Sequence, residues 1–317
     1  MLNLLTLSSA KLGAAVGCGG HKPSGASGLL QIAAVGDSIT YGAHSTGGNS
    51  TYPGQLQLML DSAPRTAGRF CVTNLGESGA TMQKSPHGDS PYWKRGSFAA
   101  FTAKKWDYVV IMLGTNDAKD ACGESASYCN DKIKPPLNSC CNWPHAGQTN
   151  WTQDCSGDDM KCSFAQDYKA FIALARTLGT SAATIPDIWL AAPPPLIDGG
   201  STNKTAKPYG MNQTVINDIL PPLMQRINQA NAMPHHVIDV FGALGGTSGL
   251  ECGYGAAETL PFLCSHACVG DEHTPECSNQ CDAQSCDPCH PNDSGYTVLA
   301  AAVLKAMALC HDVRGTE

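Results

Sequence analysis

Apolar runs of strand length alternate along the chain with segments in which apolar residues recur at helical spacing. The clearest run, DYVVIMLG at 107–114, is rich in β-branched residues, which is typical of a central strand in a parallel sheet. The pattern predicts strands at 29–36, 70–76, 107–114, 187–195 and 235–241. It predicts helices at 52–62, 97–105, 164–179, 213–231 and 294–310, the fourth with a break at Pro221 and Pro222. Five strands separated by helices predict an α/β fold with helices on both faces of a parallel sheet.

Composition narrows the classes of function. The chain has 317 residues, 42% of them hydrophobic, which suits one large domain or two small ones with a substantial core. The net charge is −7 and no basic run is longer than two residues, so we expect no nucleic-acid partner. No stretch approaches the roughly 18 uninterrupted apolar residues of a membrane span, so we expect no transmembrane helix.

Sixteen cysteines are the most informative feature of the composition. Thirteen of them fall within two segments, which we interpret as loop insertions at about 118–163 and 250–289. Such density predicts disulfide bonds and an oxidising compartment. Zinc binding is the alternative, because Cys286 and Cys289 form a C-x-x-C pair that follows His266 and His273.

Asn-x-Ser/Thr sequons also favour a secreted glycoprotein. They lie at Asn49, Asn150, Asn203, Asn212 and Asn292. The first residues form a poor signal peptide because Lys11 interrupts a short apolar start, so we expect a leader that is missing or atypical. Residues 1–28 are predicted to be a flexible N-terminal segment.

Chemically useful residues follow the predicted strands at the points where the strands end. Ser38 follows the first strand, Gly79 the second and Asn116 the third, whereas Asp287 and His290 follow the fifth. Ligands of parallel sheets bind beyond the carboxyl ends of the strands, so these residues are expected to share one edge. A serine hydroxyl needs a base to become a nucleophile, and an imidazole oriented by a carboxylate supplies one. The Ser38 N–H, the Gly79 N–H and the Asn116 amide would form an oxyanion hole.

Four stretches, GDSIT, the glycine of ESGAT, GTND and DPCHPNDSGY, resemble the sequence blocks of the SGNH, or GDSL, hydrolase family, in the family's order. The resemblance implies a flavodoxin-like three-layer α/β/α sandwich, here a single domain at 29–317. It implies that Ser38 is nucleophile and oxyanion donor, that Gly79 and Asn116 complete the hole, and that Asp287 orients His290 as the base. It implies no metal or organic cofactor. Cys286 and Cys289 bracket the acid–base pair, which departs from the family pattern. A disulfide there would fix the loop, whereas a bound metal would weaken the assignment of His290.

Several nearby residues have two interpretations. Asp37 and Asp117 are expected to hold loops by hydrogen bonds, although Asp37 is also a candidate for contact with substrate. Tyr92 and Trp93 are candidates for stacking on a sugar, or else packing residues. Two further residues that could line the pocket, Tyr41 and His44, follow the nucleophile closely.

The stretch PNDSG after His290 predicts a helix start capped by Asn292, Asp293 or Ser294, a role that argues against glycosylation of Asn292.

We therefore expect a serine esterase that removes a short acyl group, acetyl first, from an oxygen. The blocks look most like those of carbohydrate O-acetylesterases and of sialate-esterase-like or arylesterase members, so a small-molecule or carbohydrate ester is the expected substrate. A lipolytic member acting on longer acyl chains is one alternative. A disulfide-rich binding protein that has lost catalysis is another, and a metal-binding module in the Cys-rich segments is a third.

Overall fold

The structure of the protein is a computed structural model. It describes residues 28–84, 91–118, 162–181, 184–196, 211, 213–246 and 289–307. The predicted N-terminal segment lies outside the described residues except for Gly28. Nearly all of the two predicted Cys-rich insertions lies outside them as well.

The described part of the chain forms a parallel sheet of four strands. The strands are β1 (Leu30–Gly36), β2 (Phe70–Gly76), β3 (Tyr108–Met112) and β4 (Asp187–Leu190), in the order β2–β1–β3–β4. In the register, Gly36 lies opposite both Gly76 and Met112. Because the strands are parallel, β1, β2 and β3 end at the same edge of the sheet and at the same level.

The predicted fifth strand at 235–241 is wrong. Within the described residues it is reduced to one bridge, in which Ile238 donates to Leu190 O at 2.8 Å and accepts from Ala192 N at 3.0 Å. Two local features explain this. The prolines that begin at Pro193 have no N–H with which to extend the pairing. The Asp239 carboxylate accepts from Gly242 N at 2.8 Å and starts a short helix there.

Seven α-helices occur among the described residues: α1 (Ser38–Tyr41), α2 (Tyr52–Ser62), α3 (Gly96–Thr102), α4 (Ser163–Ala175), α5 (Leu220–Ala230), α6 (Val240–Ala243) and α7 (Asp293–Met307). Short 3₁₀ turns occupy Gly48–Ser50, Tyr92–Lys94, Asn116–Ala118 and Arg176–Leu178. The predicted break at Pro221 and Pro222 is present as a π-helical turn, Val215–Ile219, directly before α5. The missing proline N–H groups interrupt the regular helical ladder at this point.

Helices cover both faces of the sheet and bury two separate cores. Val109 and Ile111 of β3 pack on one face with apolar residues of α3, α4 and α5. Val110 and Met112 pack on the other face with residues of α2, α6 and α7. Alternate residues of a strand point to opposite faces, so a strand buried on both sides must be apolar throughout. This arrangement is the expected three-layer α/β/α sandwich.

The cysteines can be placed only in part. Cys71 of β2 and Cys162, the N-cap residue of α4, each take part in a disulfide bond. Apart from these two and Cys289, the cysteines lie outside the described residues, so the disulfide framework as a whole stays a prediction. No helix within the described ranges combines the length and the apolar character needed to cross a bilayer.

Glycines at the ends of β1 and β2 let α1 lie directly on the sheet. A Cβ atom on Gly76 would lie 2.0 Å from the backbone nitrogen of Tyr41, and one on Gly36 would lie 1.9 Å from Thr40 Oγ1. The Tyr41 nitrogen belongs to the backbone, which cannot rotate away as a side chain can. These two glycines therefore set how closely the turn after β1 approaches the strand ends.

We expect Gly76→Ala to lower the free energy of unfolding by about 1–3 kcal/mol, because the added methyl group forces α1 away from β2. Gly28→Ala is the matched control, since a Cβ there meets nothing within 4 Å. Urea unfolding of both variants followed by circular dichroism gives the comparison. Equal stability of the two would contradict the close approach of α1 to β2.

Candidate active site

The turn after β1 presents Ser38 as the first residue of α1. Asp37 caps this helix, its Oδ1 accepting from Ile39 N at 3.0 Å. Gly42 ends the helix in the left-handed conformation, with φ of 94°. Ser38 is only 8% exposed, so its hydroxyl lies in a protected position at the edge where β1, β2 and β3 end.

His290 lies against Ser38, which is the contact that the sequence predicted, while the roles of base and nucleophile stay a prediction. Its Nε2 is 2.9 Å from Ser38 Oγ, although 252 residues separate the two along the chain. His290 is itself 7% exposed. A hydrogen bond of this length between a hydroxyl and an imidazole is the geometry from which the ring can take the hydroxyl proton.

The start of α7 is fixed by hydrogen bonds to the loop that follows Ser38. Asp293 accepts from the backbone N–H of Thr46 at 3.0 Å and from its hydroxyl at 2.5 Å. The buried Tyr296 hydroxyl donates to Ala43 O at 2.7 Å. These bonds hold the segment that follows His290 against the segment that follows Ser38.

Asn292 has the capping role that the sequence predicted. Its Oδ1 accepts from Gly295 N at 2.8 Å, and the residue is 1% exposed. A buried side chain engaged in a helix cap is a poor acceptor for a glycan, whereas the sequon residue Asn49 is exposed.

The two other proposed oxyanion donors lie on neighbouring loops. Gly79 has φ of 77° in the turn after β2, and Asn116 is buried in the turn after β3. Asn116 Nδ2 donates to Ala80 O at 3.2 Å, which joins the two loops. Among the described residues, the N–H groups of Ser38 and Gly79 donate no hydrogen bond. Asp287 lies outside the described residues, so its pairing with His290 stays a prediction.

Asp117 holds the loop after β2, in agreement with the interpretation that it is a structural acid. Its carboxylate accepts from Met82 N at 2.8 Å and from Gln83 N at 2.9 Å. Burial raises the pKa of Asp117 to about 6, opposed by these hydrogen bonds and reinforced by the negative charge of Asp37. Asp37 has a comparable structural role as the cap of α1 and is 1% exposed.

The two aromatic residues proposed to stack on a sugar have packing roles. Tyr92 is fully buried and its hydroxyl donates to Leu75 O at 2.8 Å. The Trp93 indole N–H donates to Met82 O at 2.8 Å, and Lys84 Nζ lies 3.8 Å from the centre of the Trp93 ring. The structure therefore places neither ring as an open platform for a ligand.

His44 is brought into the site by its backbone conformation. The residue has φ of 65°, a left-handed value that is uncommon for a side chain other than glycine. Its ring stacks on that of His290, with 5.0 Å between centroids and 21° between planes. The sequence placed His44 near Ser38, but it carried no signal for this stacking, which depends on where α7 begins.

Nothing in the described part of the chain forms a metal centre, since no three His, Cys, Asp or Glu side chains there are arranged to hold an ion. Cys289, directly before His290, is buried with its Sγ 3.8 Å from Met211 Sδ. Cys286 lies outside the described residues, so the zinc alternative for that pair is not tested.

Comparison with known proteins gives one family match. The model of the GDSL-like Lipase/Acylhydrolase family matches residues 34–298. A segment of 91 residues is 37% identical to an acetylxylan esterase of Xylanibacter ruminicola. The matched segment covers 28% of this chain and 17% of that relative.

Solved structures of two esterases are similar to this chain at lower sequence identity. A carbohydrate acetylesterase family member from Sinorhizobium meliloti is 16% identical, with a TM-score of 0.49 over 89% of this chain and 99% of the other. An acetylxylan esterase from Geobacillus stearothermophilus is 17% identical, with a TM-score of 0.46 over 88% of this chain and 94% of the other.

Asp117 should make stability depend on pH. Its folded-state pKa lies above the ordinary 3.8, so between about pH 4 and pH 6 the folded protein holds a proton that the unfolded chain has lost. Rising pH therefore lowers the free energy of unfolding, by on the order of 3 kcal/mol. We expect Asp117→Asn to lose this part of the pH dependence in urea unfolding across the same window.

Asp61→Asn, at an exposed carboxylate of α2, is the control and should keep the wild-type slope. If the Asp117 variant also kept the wild-type slope, the titration of Asp117 in the folded protein would be excluded.

Proposed function

The chain belongs to the GDSL-like lipase/acylhydrolase family, and from this premise we propose that it is a serine esterase that hydrolyses short-chain O-esters. Acetyl esters of carbohydrates are the substrate class that we favour. The observation that carries the proposal is the 2.9 Å contact between Ser38 Oγ and His290 Nε2 in a protected position at the sheet edge.

The reaction begins with proton transfer from Ser38 to His290. The neutral imidazole takes the hydroxyl proton while Oγ attacks the ester carbonyl carbon, which forms a tetrahedral intermediate with a negatively charged oxygen. His290 then gives the proton to the leaving alcohol oxygen, and the C–O bond of the ester breaks. Water repeats the same steps on the acyl-enzyme, releasing the acid and restoring the Ser38 hydroxyl.

The oxyanion would be stabilised by donors from three adjacent strand ends. The Ser38 N–H, the Gly79 N–H and the Asn116 Nδ2–H₂ group are the proposed donors, and one such donor is worth roughly 3 kcal/mol in the transition state. Asn116 already donates to Ala80 O, so it reaches a substrate with its second amide hydrogen or by exchanging this bond. Asp287 would accept from Nδ1 of His290 and hold the ring with Nε2 facing Ser38.

The proposal also specifies an acetyl group as the acyl group of the substrate and an extracellular location for the protein. The similarity of a 91-residue segment to an acetylxylan esterase supports acetyl esters of carbohydrates. The sixteen cysteines and the sequons at Asn49, Asn150, Asn203 and Asn212 support a secreted, disulfide-bonded glycoprotein.

Replacement of Ser38 tests the nucleophile. We expect hydrolysis of p-nitrophenyl acetate to exceed that of the butyrate and octanoate esters, and Ser38→Ala to lower kcat by at least roughly 10³-fold. A fluorophosphonate probe should label the wild type but not the variant. Ser62→Ala, at the exposed end of α2, is the matched control and should behave as wild type.

The ester series also separates the alternatives. Fastest turnover of octanoate would favour a lipolytic enzyme over a carbohydrate acetylesterase. No turnover and no labelling of the wild type would contradict the proposal and favour a binding protein that keeps the fold.

The stacking of His44 on His290 should contribute to activity. Aromatic ring pairs contribute about 1 kcal/mol, so we expect His44→Ala to lower kcat/KM roughly fivefold as the His290 ring becomes less restrained. His44→Phe keeps a flat ring and should retain most of the activity. His236→Ala, at an exposed histidine, is the control, and equal activity of the Ala and wild-type proteins would exclude the contribution.

A further inference from the structure

The turn that carries Gly79 has a peptide that can face either of two directions. Ala80 N donates to Glu77 O at 3.1 Å, which closes a four-residue turn with Ser78 and Gly79 at its centre. Gly79 is the third residue and has φ of 77°, the value of a type II turn. Type I and type II turns differ mainly by a rotation of the central peptide through about 180°. In this turn, the central peptide is the one between Ser78 and Gly79.

The direction of this peptide decides where the Gly79 N–H points. In a trans peptide, the C=O and N–H groups point in opposite directions across the same plane. Whatever binds the Ser78 carbonyl oxygen therefore also sets the direction of the Gly79 N–H. This N–H is one of the three proposed oxyanion donors, and it is of use only when it faces the substrate.

Arg95 binds that carbonyl. Its Nη2 donates to Ser78 O at 3.2 Å, and a Cβ built on Gly79 would lie 3.6 Å from the same nitrogen. A second contact holds the two segments together, because Glu77 Oε1 accepts from Ser97 N at 3.0 Å. The turn after β2 and the start of α3 are thus joined at two points, the carbonyl of the peptide itself and the side chain of Glu77, which precedes that peptide.

We propose that Arg95 is a positioning residue for the oxyanion hole, which keeps the Ser78–Gly79 peptide in the type II orientation so that the Gly79 N–H faces the reacting ester. The inference rests on the proposed function. The guanidinium also polarises the amide to which it donates, because hydrogen bonds in a chain strengthen one another, and this makes the N–H a better donor. Neither effect requires Arg95 to touch the substrate.

Two variants with long, unbranched side chains separate the effect of hydrogen-bond donation by Arg95 from the effect of its packing. Arg95→Met keeps a long side chain without a donor, and Arg95→Lys keeps one cationic donor. We expect the Met variant to lower kcat on p-nitrophenyl acetate about tenfold, with KM changed by less than about twofold, because both chemical steps pass through an oxyanion. The Lys variant should recover most of the loss. Lys94→Met, at the exposed neighbouring residue, is the control.

A spectroscopic readout reports on the peptide without any turnover. The chain has six Ser–Gly pairs, at 24–25, 27–28, 78–79, 156–157, 248–249 and 294–295. Isotopic labelling of serine carbonyl carbons and glycine nitrogens selects these pairs in NMR spectra, and Ser78→Ala identifies the Gly79 signal by its loss. We expect Arg95→Met to shift or split this signal as the peptide samples both orientations, and Lys94→Met to leave it in place.

The results distinguish failure of this inference from failure of the proposed function. A wild type that lacks Ser38-dependent activity would remove the proposed function, whereas the Gly79 signal would still show whether Arg95 holds the peptide. An active wild type together with an Arg95→Met variant of unchanged kcat and unchanged Gly79 signal would overturn the role of Arg95. A loss of kcat with no rescue by Lys and no change of the signal would overturn it too, because the loss would then be structural.

Discussion

The site depends on the level at which three parallel strands end. Gly36 pairs with both Gly76 and Met112, so the loops after β1, β2 and β3 leave the sheet side by side. Glycine at both 36 and 76 allows α1 to pack directly on these ends without a Cβ between. The proposed groups of the site, the Ser38 hydroxyl, the Gly79 N–H and the Asn116 amide, lie on these neighbouring loops, where the backbone rather than long side chains sets their spacing.

The proposed base, His290, reaches this volume from a distant part of the chain. His290 is buried against Ser38 because Asp293 and Tyr296 of α7 bind the loop that follows Ser38. The same helix packs its apolar face on the sheet with α2. The energy that holds His290 in place therefore comes mainly from burial of a core helix, and the hydrogen bond to Ser38 adds only a small part.

Several residues whose side chains could take part in chemistry instead stabilise the loops around the site. Asp37 caps α1, and Asp117 accepts two backbone N–H groups of the loop after β2. Tyr92 is buried in the core below that loop, with its hydroxyl bonded to Leu75 O. Such a shell matters because an oxyanion hole acts only if its donors are held in place before the reaction. Holding these donors in place costs stability. The buried carboxylate of Asp117 is an example, since its raised pKa means that the ionised form is disfavoured in the folded protein.

The sequence by itself determined the sheet class, the bounds of β2, most of β1 and β3, and the pairing of Ser38 with His290. Apolar periodicity and residue order carry this information because they are local properties of a chain. The tertiary structure alone decided that the segment around Ile238 forms only one bridge and that His44 stacks on His290. It also decided that Tyr92 is buried. Each of these outcomes depends on which distant segment packs against the residue, and a local pattern contains no information about that partner.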